Sequence, residues 1–303
     1  MTSVPTIDLF EQERRRLFTL AYGFLGSRAE AEDIVQEAWL RWRNAPQDEL
    51  RQPAAWLTTV TARLALDHLR SARVKREAYP GVWLPEPVVE EPSAEQTLLV
   101  KSELTLAFLF LLERLGPEER AAFVLREVFD YSYREVGEML GNNEASCRQL
   151  VKRGKEKLRD DKPPRHPVDR SEFEDVLGKF ITALGTGDEA QLLQLLAPNA
   201  VLYGDGGGKA LSIVNPLHGP ERITRFLLGL YRKYPGQFSH RYVDVNGTPA
   251  LLVSRGDAGP LVAGYSVADG RITRIFHVLN PDKLTSLPPS RWLPDRRSVR
   301  PPL

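Results

Sequence analysis

Proline placement constrains this chain more than any other feature. Pro80, Pro85, Pro87 and Pro92 crowd the stretch 79–92 together with Glu86, Glu90 and Glu91, and Pro163, Pro164 and Pro167 follow Lys162. A proline inside a helix removes an amide donor and collides with the carbonyl one turn earlier, so no helix crosses either stretch. Three segments result, at about 1–78, 93–161 and 168–287, with a linker at 79–92. A chain of 303 residues is long enough for each to have its own core. The tail 288–303 is rich in proline and arginine and is expected to be poorly ordered.

The first two segments read as helical throughout. Leu9, Leu17, Leu20, Ala21, Phe24 and Leu25 recur at helical spacing until Gly26-Ser27 stops them. A second helix is predicted over 29–43, with Ile34, Ala38 and Trp42 on one face and Asp33, Gln36, Glu37 and Arg41 exposed. A third follows Pro53 through Trp56, Val60, Leu64 and Leu69 to Arg76. The third segment differs. One amphipathic helix at 173–184 precedes short β-type runs at 200–203, 250–254, 261–267 and 271–278, the last two joined as a hairpin through Ala268-Asp269-Gly270. The class is all-α, all-α, then α+β.

The net charge of +1 says nothing about nucleic acid, so that function has to be read from where the charges sit. A single cysteine, Cys147, rules out an internal disulfide and fits a reducing compartment. No basic-then-apolar signal pattern opens the chain, and the longest apolar run, 104–112, suits a buried helix rather than a membrane span. A cytoplasmic protein is expected, with no membrane partner.

Between Asp130 and Arg159 lies a helix-turn-helix pattern. Ser132 with Glu135 forms a capping box, Gly141-Asn142-Asn143 a turn, and Asn143 is placed to cap a second helix. In that helix Cys147, Leu150 or Val151, Gly154 and Leu158 make an apolar stripe, which gives Cys147 a packing role rather than a redox or metal one. Arg148, Gln149, Lys152, Arg153 and Lys155 line the rest. Arginine and glutamine suit base edges, lysine suits phosphate, and one such helix fits a major groove. A merely solvated basic face is the bland alternative, and the coincidence of cap, turn and cationic helix weighs against it.

The amino-terminal segment narrows the choice of DNA-binding protein. Its third helix carries Arg63, Arg70, Arg73, Lys75 and Arg76 beside Trp56, Asp67 and His68. That mixture suits a single strand, whose bases need ring contacts as well as charge; for Trp56 alone, a place in the core is the better reading. The second helix interleaves Glu30, Glu32, Asp33 and Glu37 with Trp39, Leu40 and Trp42, which suggests a protein partner.

These residues carry a resemblance. Ala31-Glu32-Asp33-Ile34-Val35-Gln36-Glu37-Ala38-Trp39 is similar to the region 2 signature of extracytoplasmic-function sigma factors, as is Ala55-Trp56-Leu57 running into Leu66-Asp67-His68-Leu69-Arg70. Leu115-Gly116-Pro117-Glu118-Glu119-Arg120 followed by the helix-turn-helix resembles region 4 of the same family. The likeness spans about residues 8–160. It implies a region 2 helical bundle holding core RNA polymerase through Asp33, Gln36, Glu37 and Leu40. It also implies contact with the −10 promoter element through Asp67, His68, Arg70 and Arg73, and with the −35 element through Arg148, Gln149, Lys152 and Arg153. Leu150 departs from the pattern, standing where the family often has arginine.

The third segment resembles the cone-shaped SnoaL-like (NTF2-like) fold, which a subgroup of these sigma factors carries as a carboxy-terminal extension. Three motifs of that subgroup are present: Trp83-Leu84-Pro85-Glu86-Pro87, Asp205-Gly206-Gly207-Gly208-Lys209 and Asn280-Pro281-Asp282-Lys283-Leu284. The resemblance implies control of sigma activity in cis. Trp83 and Leu84, stiffened by Pro85 and Pro87, are themselves expected to be the linker groups on which the extension docks. The glycine run suits close approach by another chain segment or a plain turn, Lys209 is placed to pair with Glu86, and the tail repeats the linker motif as Trp292-Leu293-Pro294-Asp295. No cofactor or metal is expected; the domain's small-molecule ligand is left open. Tyr203, Asp205, His218 and His277 are the parts an isomerase would use, without a spacing that makes them converge. A ligand-sensing helix-turn-helix transcription factor and a cyclase or isomerase fused to a DNA-binding module are the competing readings. The acidic tryptophan helix argues against the first of these.

Overall fold

The computed structural model describes residues 5–46, 50–90, 104–159 and 169–287. Described residues of Met1–Ala78 and Phe108–Lys162 form one compact unit, and those of Tyr79–Leu98 and Pro163–Leu303 a second. The proline-rich stretch after Ala78 thus belongs, where described, to the carboxy-terminal unit. The tail repeat Trp292–Asp295 lies outside the described residues.

In the first unit α1 (Pro5–Leu25), α2 (Arg28–Arg43) and α3 (Pro53–Glu77) pack around Leu17, Leu20, Phe24, Val35, Trp42 and Leu57, all buried. Ser27 caps α2, its hydroxyl accepting from the Glu30 amide. Of the α2 tryptophans, Trp42 is core, 2% exposed and tilted against Trp56, while Trp39 is half-buried and packs on Phe10. Burying such large rings outweighs any use of them at a surface, and Trp56 joins the same cluster.

The later helices are α4 (Leu106–Leu112), α5 (Pro117–Phe123, running into a π-helical turn at Val124–Val128), α6 (Tyr133–Leu140) and α7 (Glu144–Leu158). The helix-turn-helix follows from local chemistry. Ser132 and Glu135 exchange hydrogen bonds at the start of α6, Gly141 ends it at φ 69°, and the Asn143 side chain accepts from the Ser146 amide. Gly137 is required by packing, since a Cβ there would lie 2.6 Å from the Asn142 carbonyl. Cys147, Leu150, Val151, Gly154 and Leu158 are the buried face of α7, so both Leu150 and Val151 belong to the stripe. Leu150 therefore packs in the core, where an arginine would find no phosphate.

The second unit begins with the two-residue strand β1 (Val89–Glu90) and continues with α8 (Arg170–Thr186), α9 (Glu189–Leu195), β2 (Leu196–Asp205), β3 (Leu217–His218), α10 (Pro220–Lys233), β4 (Phe238–Val245), β5 (Thr248–Arg255), β6 (Pro260–Ala268) and β7 (Arg271–Val278). Strand order is β1-β4-β5-β6-β7-β2-β3, antiparallel except for β2 beside β7. Strand alternation turns Leu202, Leu251, Ala263, Tyr265 and Ile275 toward Phe173, Leu177, Phe180, Ile223 and Leu227 of α8 and α10. Tyr203, Asp205, Phe276 and Val278 take the opposite face. The β6–β7 hairpin turns at Asp269 (φ 51°) and Gly270 (φ 67°), the positive pair that a two-residue hairpin loop demands. The strands β1, β3 and β4 and the helices α9 and α10 are additions to the expected elements. Among the described residues no helix is long and apolar enough to cross a membrane, and no cluster of His, Cys, Asp or Glu could hold a metal ion.

Candidate functional site

Three surfaces carry the residues singled out by sequence. On α7, Arg148, Gln149, Lys152, Arg153 and Lys155 are all exposed along the side opposite the buried stripe. Intramolecular partners hold most of them. Arg148 bonds to Glu144 and lies over the Tyr133 ring, Lys155 reaches Glu127 at 2.8 Å, and Arg153 stands 3.7 Å from Glu119. Burial opposes ionisation of Glu119, but Lys157, the Gly116 amide and Arg153 outweigh it and hold the carboxyl below its ordinary range.

On α3, Asp67, Arg70 and Arg73 are exposed and His68 half-buried. Arg70 bridges Asp67 at 2.8 Å and Glu118 of α5 at 3.0 Å, His68 lies 3.3 Å from Glu30, and Arg73 lies 3.5 Å from Glu77. Two cations that looked available for a strand have structural duties. Arg63 donates to the Met139 and Glu138 carbonyls at the end of α6, and Arg76 is bound to Glu113 and the Leu25 carbonyl. Glu113 is shared with buried Arg120; burial opposes its charge, but the two guanidinium groups prevail and lower its pKa. Arg63 thus ties α3 to α6, and Arg70 and Arg76 tie it to Glu118 and Glu113; these partners, at least 37 residues away along the chain, have no local signature.

The third surface is on α2. Asp33, Gln36 and Leu40 are exposed and Glu37 is half-buried, paired with Arg41 at 3.1 Å. Leu40 is 43% exposed, one of few large apolar groups so placed among the described residues. The opposite face of α2 (Ala31, Ile34, Val35, Ala38 and Trp42) is buried, so the acidic side is presented by a rigid element.

The stretch after α3 is clasped by the carboxy-terminal domain. Asp205, 1% exposed at the end of β2, accepts from Tyr79 OH at 2.5 Å, the Leu84 amide at 2.9 Å, the Gly207 amide at 3.1 Å and Lys283 Nζ at 2.7 Å. Lys283 also donates to the Leu84 carbonyl and sits 3.9 Å from the centre of the Trp83 ring. Asn280 donates to Tyr79 OH, and the amides of Leu279 and Asn280 bond the Asp205 carbonyl. Burial, then Asp205, pushes the Tyr79 phenol well above its usual pKa. Leu84, Pro85, Glu86 and Pro87 are buried, Val88 exchanges hydrogen bonds with Asn246, and β1 adds itself to the edge of β4.

The glycine run has a steric reason. A Cβ on Gly207 (φ 59°) would overlap Asn280, one on Gly206 would strike the Ala210 carbonyl, and one on Gly208 (φ 70°) would lie 3.1 Å from Pro80. Lys209 pairs with Asp282 at 2.5 Å, which corrects the expected pairing with Glu86; Glu86 is buried and Lys209 is at the surface. Pro281 opens a single helical turn that delivers Lys283 to the clasp. Tyr79 and Lys283 are the participants that sequence reasoning did not single out. Lys283 lay within a recognised motif, and Tyr79 had no signal beyond standing at the linker's start.

The isomerase parts do not converge. Asp205 is occupied by the clasp, Tyr203 stacks on Phe276 on the same face, His218 is exposed on β3, and His277 points to the helix-covered face. Burial, then Arg255, holds the His277 imidazole down to about 4. An unfolded histidine titrates near about 6.5, so below that pH the unfolded chain takes up a proton that the folded one refuses. Stability should therefore fall as the pH drops from about 6.5 toward about 4, by at most about 1.4 kcal/mol per pH unit, and His277→Gln should remove this component. Urea unfolding at about pH 7 and about pH 5 measures it.

A capped helix-turn-helix tied to a helical bundle with an acidic face is the organisation of a sigma factor. Residues 9–74 match Sigma-70 region 2 and residues 105–158 match Sigma-70 region 4. The chain belongs to the extracytoplasmic-function RNA polymerase sigma factors, and it directs core RNA polymerase to promoters for initiation. It is 38% identical over 302 residues to the sigma factor SigJ of Mycobacterium tuberculosis, covering 93% of this chain and 94% of that one. It is 32% identical to the probable sigma factor SigI of the same species, covering 93% and 96%. The crystal structure of SigJ superposes with a TM-score of 0.76 at 34% identity, covering 92% of this chain and 98% of that one.

Proposed function

We propose that the carboxy-terminal domain controls this sigma factor in cis by clasping the segment that joins region 2 to region 4. The observation that carries this reading is the buried Asp205 carboxylate. It spends its four hydrogen bonds on two groups of that segment, on a glycine of its own loop and on Lys283. A segment so anchored has less freedom to let region 2 and region 4 engage two promoter elements at once, and release from the clasp restores it. Within this scheme α2 offers Asp33, Gln36, Glu37 and Leu40 to core polymerase. The α3 face offers Asp67, His68, Arg70 and Arg73 to the −10 element, and α7 offers Arg148, Gln149, Lys152 and Arg153 to the −35 element, with Lys155 on phosphate. Arg70, held by Glu118, has to exchange that partner before it can serve DNA.

The domain acts here as a regulator and not as a catalyst, since the carboxylate an isomerase would use is committed to the linker. A small-molecule signal is the second reading, supported by Tyr231 and Tyr265, which bring hydroxyl groups to the apolar cluster between the helices and the sheet. In vitro transcription with core polymerase tests the scheme. Trp83→Ala and Gly207→Val should change promoter output in the same direction as removal of residues 168–303. The glycine variant acts because φ 59° and the Asn280 side chain exclude a branched residue. Equal output from all four proteins would leave the domain without a regulatory role.

A further inference from the structure

We propose that Tyr133, the first residue of α6, positions Arg148 for the −35 element, so that promoter discrimination depends on a side chain outside the reading helix. This deepens, and rests on, the assignment of α7 as that helix. Arg148 lies one turn into α7 on the same face as Lys152, Lys155 and Arg159, and a groove of about 260 Å³ runs between this face and the Tyr133 ring. The guanidinium carbon of Arg148 is 4.6 Å from the ring centre, and that of Arg126 is 5.1 Å from the same ring. Two like charges share one aromatic ring because its π face is negative. Arg126 is itself fixed by the Tyr131 carbonyl at 3.0 Å and by Asp130 at 3.3 Å. The capping box of Ser132 and Glu135 fixes where the ring leaves the backbone.

An exposed arginine on a helix ordinarily samples many rotamers, and ordering it on DNA loses that entropy. Arg148 has the ring on one side and the Glu144 carboxylate one turn back, which hold the planar guanidinium in few orientations before DNA arrives. Without the ring only Glu144 remains. That exposed pair is weak, and its carboxylate competes with DNA for the same guanidinium. The ring acts through its face rather than its hydroxyl, so phenylalanine should serve as well as tyrosine.

The test uses the full chain with core polymerase and selects promoters from a library randomised across the −35 element. Arg148→Ala should weaken promoter binding by roughly tenfold and erase preference at the base it reads. Tyr133→Leu should flatten preference at that same base and weaken binding several-fold. Tyr133→Phe should keep both, and Tyr133→Leu combined with Arg148→Ala should be no worse than Arg148→Ala alone. A merely structural role for Tyr133 would lower binding without moving the preference at one base. If the leucine variant does not fold, Tyr133→Gln gives the same comparison with a ringless residue that favours helices. The proposal fails if ringless variants keep the wild-type preference while Arg148→Ala loses it, or if the two changes add in full. No effect of Arg148→Ala would instead overturn the assignment of the reading helix, and the positioning role with it.

Discussion

Replacing Asp205 with alanine should release the stretch 79–90 from the carboxy-terminal domain and change promoter output strongly. The substitution leaves Lys283, whose side chain is 10% exposed, without its carboxylate, and it removes the acceptor of the Leu84 and Gly207 amides and of the Tyr79 hydroxyl proton. Removing one partner of a buried pair costs about 3–5 kcal/mol, because the remaining charge has lost its solvation and gained nothing in return. Hydrogen exchange at Leu84 and Val88 should accelerate by at least about a hundredfold if that loss falls on the clasp. Lys283→Met alone should also weaken the clasp. The double change Asp205→Ala with Lys283→Met should be milder than Asp205→Ala alone, since no buried charge is left unpaired. Unaltered exchange in Asp205→Ala would show that the apolar contacts of Trp83 and Leu84 hold the segment unaided.

Reversing charge at Asp33 and Glu37 to lysine should abolish binding to core polymerase while the helices remain folded. Both residues lie away from the buried face of α2, and the pair that Glu37 makes with Arg41 is worth a few tenths of a kcal/mol. Their effect on stability should therefore be small. At an interface, by contrast, like-charge juxtaposition costs several kcal/mol, so affinity should fall by about a hundredfold or more. A pull-down with core polymerase, read beside circular dichroism, separates these outcomes. Undiminished binding by a folded double variant would place the polymerase contact elsewhere, with exposed Leu40 and Gln36 the next residues to change.

Which parts of the molecule were legible depended on how far each signal had to reach. The helix-turn-helix needs a capping pair three residues apart, a glycine in left-handed conformation and an asparagine cap, all within one short stretch. Periodicity also located the helices α1 to α3 and the β6–β7 hairpin. It did not locate β4, whose burial alternates only weakly between Phe238 and Val245. How deeply the tryptophans of α2 are buried was not legible, for a related reason. A large ring serves a core and an interface equally well, and only the presence of Phe10 and Trp56 against Trp39 and Trp42 decides between them.

The sequence by itself determined the class of protein, through motifs that resemble those of its family, and the faces that present Asp33, Arg148 and their neighbours, through spacing along one element. Tertiary structure alone decided which charges are spoken for. Arg63 finds carbonyls of α6, Arg76 finds Glu113, and Lys209 takes Asp282 in place of Glu86. Tyr79 and Lys283 meet at Asp205 across 126 and 78 residues of chain. Such pairings depend on the path of the chain between the partners, and a buried charge takes whichever partner that path brings within reach, since leaving it unpaired costs more than any preference the sequence could express.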